Sequence, residues 1–164
     1  MQRILAIALA AVAVAGGAWF LFAPADPGAA VRQRLDTLAD MVNKSTVDGL
    51  GPEARGVQLG TYFTEDVDVE LGAGTAPIHG RATIIGMAAR LQPRTAAFQI
   101  KFQDVSVEMA DGGETADVHL TVEFIRRAIT TGEESLDARE FQLRMRRVGS
   151  NWQIAKVTAI STLQ

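Results

Sequence analysis

The stretch from Thr115 to Val148 constrains the fold of this chain most strongly, because it alternates apolar and polar residues along two consecutive segments. Apolar side chains occupy every second position before and after a polar turn: Val118, Leu120, Val122, Phe124, Phe141, Leu143 and Met145. Strict alternation of period two is typical of half-buried antiparallel strands. The sequence therefore predicts a β-hairpin with one apolar face that another layer must cover.

The turn of this hairpin is predicted at residues 131–135, TGEES. Centring the hairpin there matches apolar residues with apolar residues and acidic residues with basic ones, so packing and charge favour one alignment. The predicted partners are Phe124 with Leu143, Val122 with Met145, Arg127 with Glu140, and Glu123 with Arg144.

Residues 1–23 are predicted to form an N-terminal transmembrane anchor. The twenty residues from Ile4 to Ala23 carry no charge, and about twenty apolar residues are needed to cross a bilayer core of roughly 30 Å. Arg3 favours an N-inside orientation, which places the rest of the chain outside the cytoplasm. We therefore expect a single-pass protein of the cell inner membrane with a periplasmic C-terminal domain, contacting lipid through residues 4–23. The residues expected in an interfacial aromatic belt are Trp19, Phe20 and Phe22.

A cleavable signal peptide is the alternative interpretation of the leader. Ala23-Pro24-Ala25 resembles a cleavage site, but signal peptides have a shorter apolar region of about 7–15 residues, so length favours the anchor. The chain contains no cysteine, which excludes a lipoprotein anchor, disulfides and thiolate metal sites. Residues 24–29 are assigned to a linker and residues 30–164 to one domain.

The charge of the domain argues against nucleic acid as a partner. Residues after Ala23 contain all 19 acidic and 15 of the 16 basic residues, a net charge of −4 with both histidines neutral. Nucleic-acid binding calls for a basic stripe instead. The sequence also lacks a glycine-rich phosphate loop, a serine nucleophile motif and a cofactor fingerprint, and its two histidines make no metal set. No cofactor or metal is therefore expected.

The order of patterns along the domain predicts an α+β fold. Helices are expected at residues 29–44, from Pro52 to about Phe63, and after Arg81, with a short strand at residues 64–71. Four long antiparallel strands follow, the first over residues 98–109 and the last from Trp152 to about Thr162. A phase slip at residues 103–104 predicts a β-bulge that bends the first of them. Three helices can cover only the apolar face of such a bent sheet, which gives a cone.

This order resembles the nuclear transport factor 2-like superfamily, especially its SnoaL-like bacterial members. The resemblance rests on YFTEDVDVEL before a Gly-Arg helix start and on NWQIAKVTAIST near the end, and it covers Val31 to about Leu163. The superfamily contains isomerases, dehydratases, epoxide hydrolases and many non-catalytic binding modules. In the ketosteroid isomerase pattern the catalytic base is an Asp, and its position falls here at Leu71, with Glu70 just before it. Leucine cannot abstract a proton, so the resemblance implies the fold without that base.

We therefore expect a non-catalytic binding or assembly subunit of a larger membrane complex. The hairpin places Asp117 and His119 opposite its apolar face, whereas the pocket of a cone lies on the apolar side. Relatives often dimerise through the convex sheet face, which implies a protein partner or a homodimer here. The expected interface residues are Glu123, Arg127, Glu140, Arg144 and Arg146.

Two alternatives use the pocket of the cone instead. One is a small hydrolase or isomerase of an apolar molecule, with Tyr62, Asp66 and His79 at the mouth of the cone. The other is a secreted carrier of an apolar small ligand, which requires cleavage after Ala25.

Overall fold

The computed structural model describes residues 26–44, 51–72, 74–90 and 96–160, which form three helices and six strands. The fold is α+β, as the order of sequence patterns predicts. In chain order the elements are α1 Ala29–Lys44, α2 Pro52–Gly60, β1 Phe63–Glu70, β2 Ile78–His79, α3 Arg81–Arg90, β3 Ala96–Met109, β4 Thr115–Ala128, β5 Glu134–Val148 and β6 Asn151–Ala159.

The predicted anchor, with Trp19, Phe20 and Phe22, lies outside the described residues. Within the described ranges, no helix combines the length and the apolar character needed to cross a membrane. The division of the chain into anchor, linker and domain stays a prediction.

The six strands form one sheet in the order β2-β1-β6-β5-β4-β3. The pairs from β6 to β3 are antiparallel, as predicted, whereas β1 runs parallel to β6. The short strand β2 pairs with β1 through Asp68 opposite His79. His79 therefore lies in a strand, which the sequence does not predict because two residues are too few to produce an alternating pattern.

Helix α1 covers one face of the sheet, here called the inner face. Its apolar positions Val31, Leu35 and Leu38 recur at helical spacing and are buried. Full burial of an aliphatic side chain stabilises the fold by roughly 1.5–3 kcal/mol, so this stripe fixes the helix on the sheet. The buried core cluster to which the stripe belongs also includes Val118, Leu120, Val122, Phe141, Leu143, Met145, Trp152 and Ile154.

Polar contacts fix both the start and the middle of α1. The Asp26 carboxylate accepts a hydrogen bond from the Gly28 amide at 2.9 Å and pairs with Arg32, which defines the first turn. Arg34 donates from Nε to the Trp152 carbonyl at 3.1 Å and from Nη2 to the Thr61 carbonyl at 2.8 Å. Arg34 therefore links α1 to β6 and to the turn before β1.

The register of the β4–β5 hairpin differs from the predicted one by six positions along β5. Phe124 lies opposite Asp137 rather than Leu143, and Arg127 pairs with Glu134 at 2.7 Å rather than with Glu140. The turn falls at residues 129–133, where Gly132 adopts a φ of 72° that side chains disfavour. Because the shift is an even number, each side chain keeps its predicted face.

Helices α2 and α3 pack closely against each other. The second helix ends at Gly60 instead of near Phe63, because the chain turns and enters β1 at Phe63. A Cβ atom built on Gly60 would lie 2.6 Å from Cδ1 of Ile85, so glycine permits this close approach. Residues of α3 are at most half-buried.

Strand β3 bends at the predicted bulge. Its pairing with β4 shifts between Gln103 and Ser106, and Asp104 adopts a φ of 51°. The sequence prediction of a bulge at this point is confirmed. The strand begins at Ala96, two residues before the predicted start.

The far end of the long strands, here called the arm, comprises residues 96–100 and 124–138. Phe98 and Phe124 on its inner face and Leu136 on the opposite face are all exposed, as is Ile129 in the turn. Every residue of β5 from Glu134 to Glu140 is exposed. The arm therefore extends past the part of the sheet that α1 covers.

Candidate functional site

The face of the sheet opposite α1, here called the outer face, carries the polar residues of the alternating strands. Burial alternates residue by residue along β4, and the exposed or half-buried positions face outward. The outer-face side chains of the central strands include Lys101, Gln103, Asp117, His119, Thr121, Glu123, Glu140, Gln142, Arg144, Lys156 and Thr158.

A row of ionisable residues crosses the whole outer face perpendicular to the strands. Each member lies directly opposite the next on the neighbouring strand, so the row follows from the strand register. Cations occupy the middle of the row and carboxylates flank them, which favours ion pairing within the subunit. From β2 to β3 the row consists of His79, Asp68, Lys156, Arg144, Asp117 and Glu108.

The two central cations of this row each have a carboxylate partner. Arg144 donates to both oxygens of Asp117, from Nε at 2.9 Å and from Nη2 at 3.1 Å. This hydrogen bonding raises the pKa of Arg144 above its ordinary value. Lys156 Nζ lies 3.0 Å from a carboxylate oxygen of Glu70. Both cations are therefore already neutralised by residues of the same chain.

Arg146 is paired at the edge of the outer face. Its Nη2 donates to Asp66 at 2.6 Å. The nearby Thr64 side chain, the backbone and Arg146 together lower the pKa of the Asp66 carboxyl below its ordinary value. Asp66 therefore stays ionised at neutral pH and accepts hydrogen bonds. A carboxylate in this state has no proton to donate, so it is unsuited to act as a general acid.

Two open hollows lie on the outer face. The first, of about 210 Å³, is lined by the paired charges and by Gln142 and Thr158. The second, of about 420 Å³, lies nearer the arm and is lined by Leu71, Ala138, Glu140 and Ile160 among others. Leu71 and Ile160 are 38% and 39% exposed, so this hollow offers apolar surface beside a carboxylate.

The five predicted interface residues share the outer face, but their partners differ from those expected. Arg144 and Arg146 pair with Asp117 and Asp66, and Arg127 pairs with Glu134. Glu123 lies 3.5 Å from the amide of Gln103, and the Glu140 carboxylate forms no ion pair within the described ranges. The predicted pairs Arg127–Glu140 and Glu123–Arg144 are wrong, because the register is shifted.

The alternative site residues Tyr62, Asp66 and His79 make contacts in three different places. Tyr62 is buried in the core, where the guanidinium of Arg34 stacks 3.9 Å from its ring centroid. His79 pairs through Nδ1 with Asp68 at 2.5 Å, whereas Asp66 pairs with Arg146. The contacts of Arg34 could not be predicted from the sequence. Its acceptors are backbone carbonyls, which every residue carries.

Potential metal ligands lie scattered over the described part of the chain. No group of three or more His, Asp or Glu side chains there is arranged to hold a metal ion. The Asp68–His79 pair supplies two potential ligands at the sheet edge, fewer than a protein metal site uses.

No protein-family model matches the sequence, and no curated protein matches it either. Solved structures do. A candidate scytalone dehydratase from Novosphingobium aromaticivorans superposes with a TM-score of 0.66 at 12% identity, covering 82% of this chain and 83% of that one. ActVI-ORFA from Streptomyces coelicolor gives a TM-score of 0.65 at 11% identity, covering 80% and 94%. At these identities the likeness establishes the fold alone.

A third structure names that fold. An NTF2-like protein with a cystatin-like fold from Novosphingobium aromaticivorans superposes with a TM-score of 0.61 at 13% identity, covering 79% of this chain and 78% of that one. The structural neighbours are thus SnoaL-like and nuclear transport factor 2-like proteins, and they bear out the predicted cone.

Proposed function

We propose that this domain, which has the cone fold of nuclear transport factor 2-like proteins, is a non-catalytic binding or assembly module that docks on a protein partner through its outer face. One observation carries the proposal: the charged groups and both hollows lie on the outer face, while the inner face beneath α1 is filled by the protein's own side chains.

The filled inner face argues against chemistry beneath α1. Val31 and Leu35 of α1 belong to the same buried core cluster as Val118, Leu143 and Met145 of the sheet. Close packing of this kind disfavours a substrate site among these buried side chains. The carboxylates and the histidine of the hairpin face the other way, so they cannot act on a molecule bound under the helix.

The composition of the outer face suits a protein interface. Leu71, Ile160 and Leu136 provide apolar surface, and charged residues surround it. Interfaces commonly have an apolar centre and a polar rim. Glu140, which forms no ion pair within the described ranges, would receive a cation from the partner. Arg144 and Arg146 already pair with carboxylates of the same chain. They would therefore orient the partner without the cost of burying an unpaired charge.

We further propose that residues 4–23 hold the domain at the periplasmic side of the inner membrane. Gly28, at the start of α1, lies against Val107 near the end of β3, whereas Phe98 lies on the arm at the other end. Nine strand residues separate these positions, which corresponds to roughly 30 Å. A tether entering at Gly28 would thus leave the arm and the outer face free, and confinement to the membrane would raise the effective concentration of the domain.

A charge reversal at Glu140 tests the docking surface. The full-length chain carrying Glu140→Lys should recover at least about tenfold less partner after mild detergent extraction, because it replaces an expected ion pair with repulsion. Glu140→Gln should have a smaller effect. Glu53→Lys, on the exposed start of α2, is the matched control and should leave recovery unchanged. Undiminished recovery with both Glu140→Lys and Ile160→Ser would rule out this surface.

A carrier of apolar small molecules is the second candidate function. It is favoured by the exposed rings of Phe98 and Phe124 on the inner face of the arm, next to half-buried Phe102. Native mass spectrometry of the purified chain should then reveal a bound small molecule that Phe98→Ser releases. The enzymatic form of this alternative requires convergence of Tyr62, Asp66 and His79, whose contacts instead lie apart.

A further inference from the structure

Strand β3 is an edge strand of the sheet, and a single side chain closes its edge. The carboxamide of Asn43 donates to the Ile100 carbonyl at 2.9 Å and accepts from the Ile100 amide at 2.8 Å. Both backbone groups of one residue are thus bonded by one side chain, as a neighbouring strand would bond them. Asn43 therefore takes the place of a seventh strand at Ile100.

The geometry of this contact shows which backbone groups of β3 face the edge. Ile100 lies opposite Phe124, and its amide and carbonyl bond to Asn43, so this is a non-hydrogen-bonded pair of the β3–β4 ladder. Alternate residues share that orientation, which directs the backbone groups of Phe98 and Phe102 to the edge as well. Up to the bulge at Gln103, β3 is a regular strand, and no further strand of the described ranges pairs with this edge on either side of Asn43.

The sequence around Ile100 is complementary to itself. In an antiparallel pair of two β3 strands centred on Ile100, Phe98 of one copy faces Phe102 of the other on the inner face. Gln99 faces Lys101 on the outer face, so no like charges meet. Apolar pairs across strands are favourable, and an unprotected edge of this kind is a template for another chain.

We propose that the β3 edge is a strand-addition surface for a second copy of this chain and that Asn43 holds it closed. Asn43 lies in the last turn of α1, one residue before its end at Lys44. Opening the edge therefore requires that turn to move together with Met41 and Val42, which pack on the margin of the core, while Val31, Leu35 and Leu38 stay buried. While Asn43 closes the β3 edge, the domain assembles through its outer face and adds no strand to its sheet.

The test compares Asn43→Ala with Lys44→Ala in the full-length chain, purified in mild detergent. Alanine keeps the helix but removes both bonds to Ile100, whereas Lys44→Ala changes the neighbouring exposed residue. Light scattering should show that Asn43→Ala forms higher-mass species at protein concentrations at least about tenfold lower than the wild type. Lys44→Ala should match the wild type.

A second substitution tests whether the higher-mass species form through the β3 edge. Phe98→Pro removes an edge-facing amide without touching the β4 ladder, so Asn43→Ala with Phe98→Pro should return to the mass of the wild type. Hydrogen exchange of the Ile100 amide should be faster in dilute Asn43→Ala and slower again at high concentration. Asn43→Asp, which retains the acceptor for the Ile100 amide, replaces Asn43→Ala if that variant fails to fold.

A folded Asn43 variant with the mass of the wild type at every concentration would overturn the proposal. So would higher-mass species that persist after Phe98→Pro, because they would form elsewhere on the molecule. Neither result depends on the partner of the outer face, so the two proposals fail separately.

Discussion

The two ends of the β4–β5 hairpin have the same backbone geometry and the same alternating pattern, but different surroundings. Near Val118 and Met145, α1 covers the inner face and the side chains are buried. In the arm, near Phe124 and Leu136, side chains on both faces are exposed. Alternation along a strand therefore predicts which face a residue occupies, but the reach of the covering helix decides whether that residue stabilises the fold or remains available for binding.

The largest expected effect compares two apolar residues of β5. Met145 is 0% exposed, and Met145→Ala should lower the free energy of unfolding by about 2–5 kcal/mol through lost burial and a new cavity. Leu136 is 63% exposed, and Leu136→Ala should change it by less than about 0.5 kcal/mol. Urea unfolding followed by circular dichroism measures both. Equal losses would mean that the arm belongs to the core.

A pair of glycine substitutions extends the comparison of packed and open positions to helices α2 and α3. Gly60→Ala should destabilise by about 1–3 kcal/mol, because the added methyl would lie 2.6 Å from Cδ1 of Ile85. Gly86→Ala, in α3, meets no atom within 4 Å and should stabilise by about 0.5–1 kcal/mol through its better helix propensity. Thermal unfolding of the two variants should shift in opposite directions, and a gain in stability from Gly60→Ala would contradict close packing of α2 on α3.

The sequence was sufficient to predict which face of the sheet each side chain occupies, but not to predict the register of the strands. The α1 boundaries and the bulge at Gln103 follow from periodicity, which is a local property. The register does not, because a shift of six residues keeps every face and still places Arg127 opposite a glutamate, Glu134 instead of Glu140. What distinguishes the two alignments is the positive φ of Gly132, which fixes the turn.

The contacts of the candidate site were harder to predict for a related reason. The expectation of an outward polar face rests on alternation alone, and the structure agrees with it. The partner of Arg146, however, comes from β1, a strand that joins the sheet through β6 from far away in the sequence. Such long-range pairings leave no local pattern from which they could be inferred.

The smallest expected effect concerns the pH dependence of the outer-face ion pairs. The pKa of Asp66 is lowered in the folded state, so its ionised form stabilises the fold above the ordinary value of 3.8, and that stability is lost as the pH falls through the lowered pKa. Asp66→Asn should lose less stability than the wild type from about pH 5 downward. The effect should be slight because the pair is exposed. Melting temperatures that fall in parallel for both proteins would show that ionisation of Asp66 adds nothing to the stability of the fold.

The arrangement of lysines offers the most direct test of the proposed outer-face interface. Lys101 and Lys156 lie on the outer face, whereas Lys44 lies at the end of α1. The full-length protein, extracted from its native membrane in mild detergent, would be treated with a lysine-reactive cross-linker and analysed by mass spectrometry. The account predicts cross-links from Lys101 and Lys156 to a stoichiometric protein partner, or to a second copy, and none from Lys44. Recovery as a lone monomer, or cross-links through Lys44 alone, would contradict it.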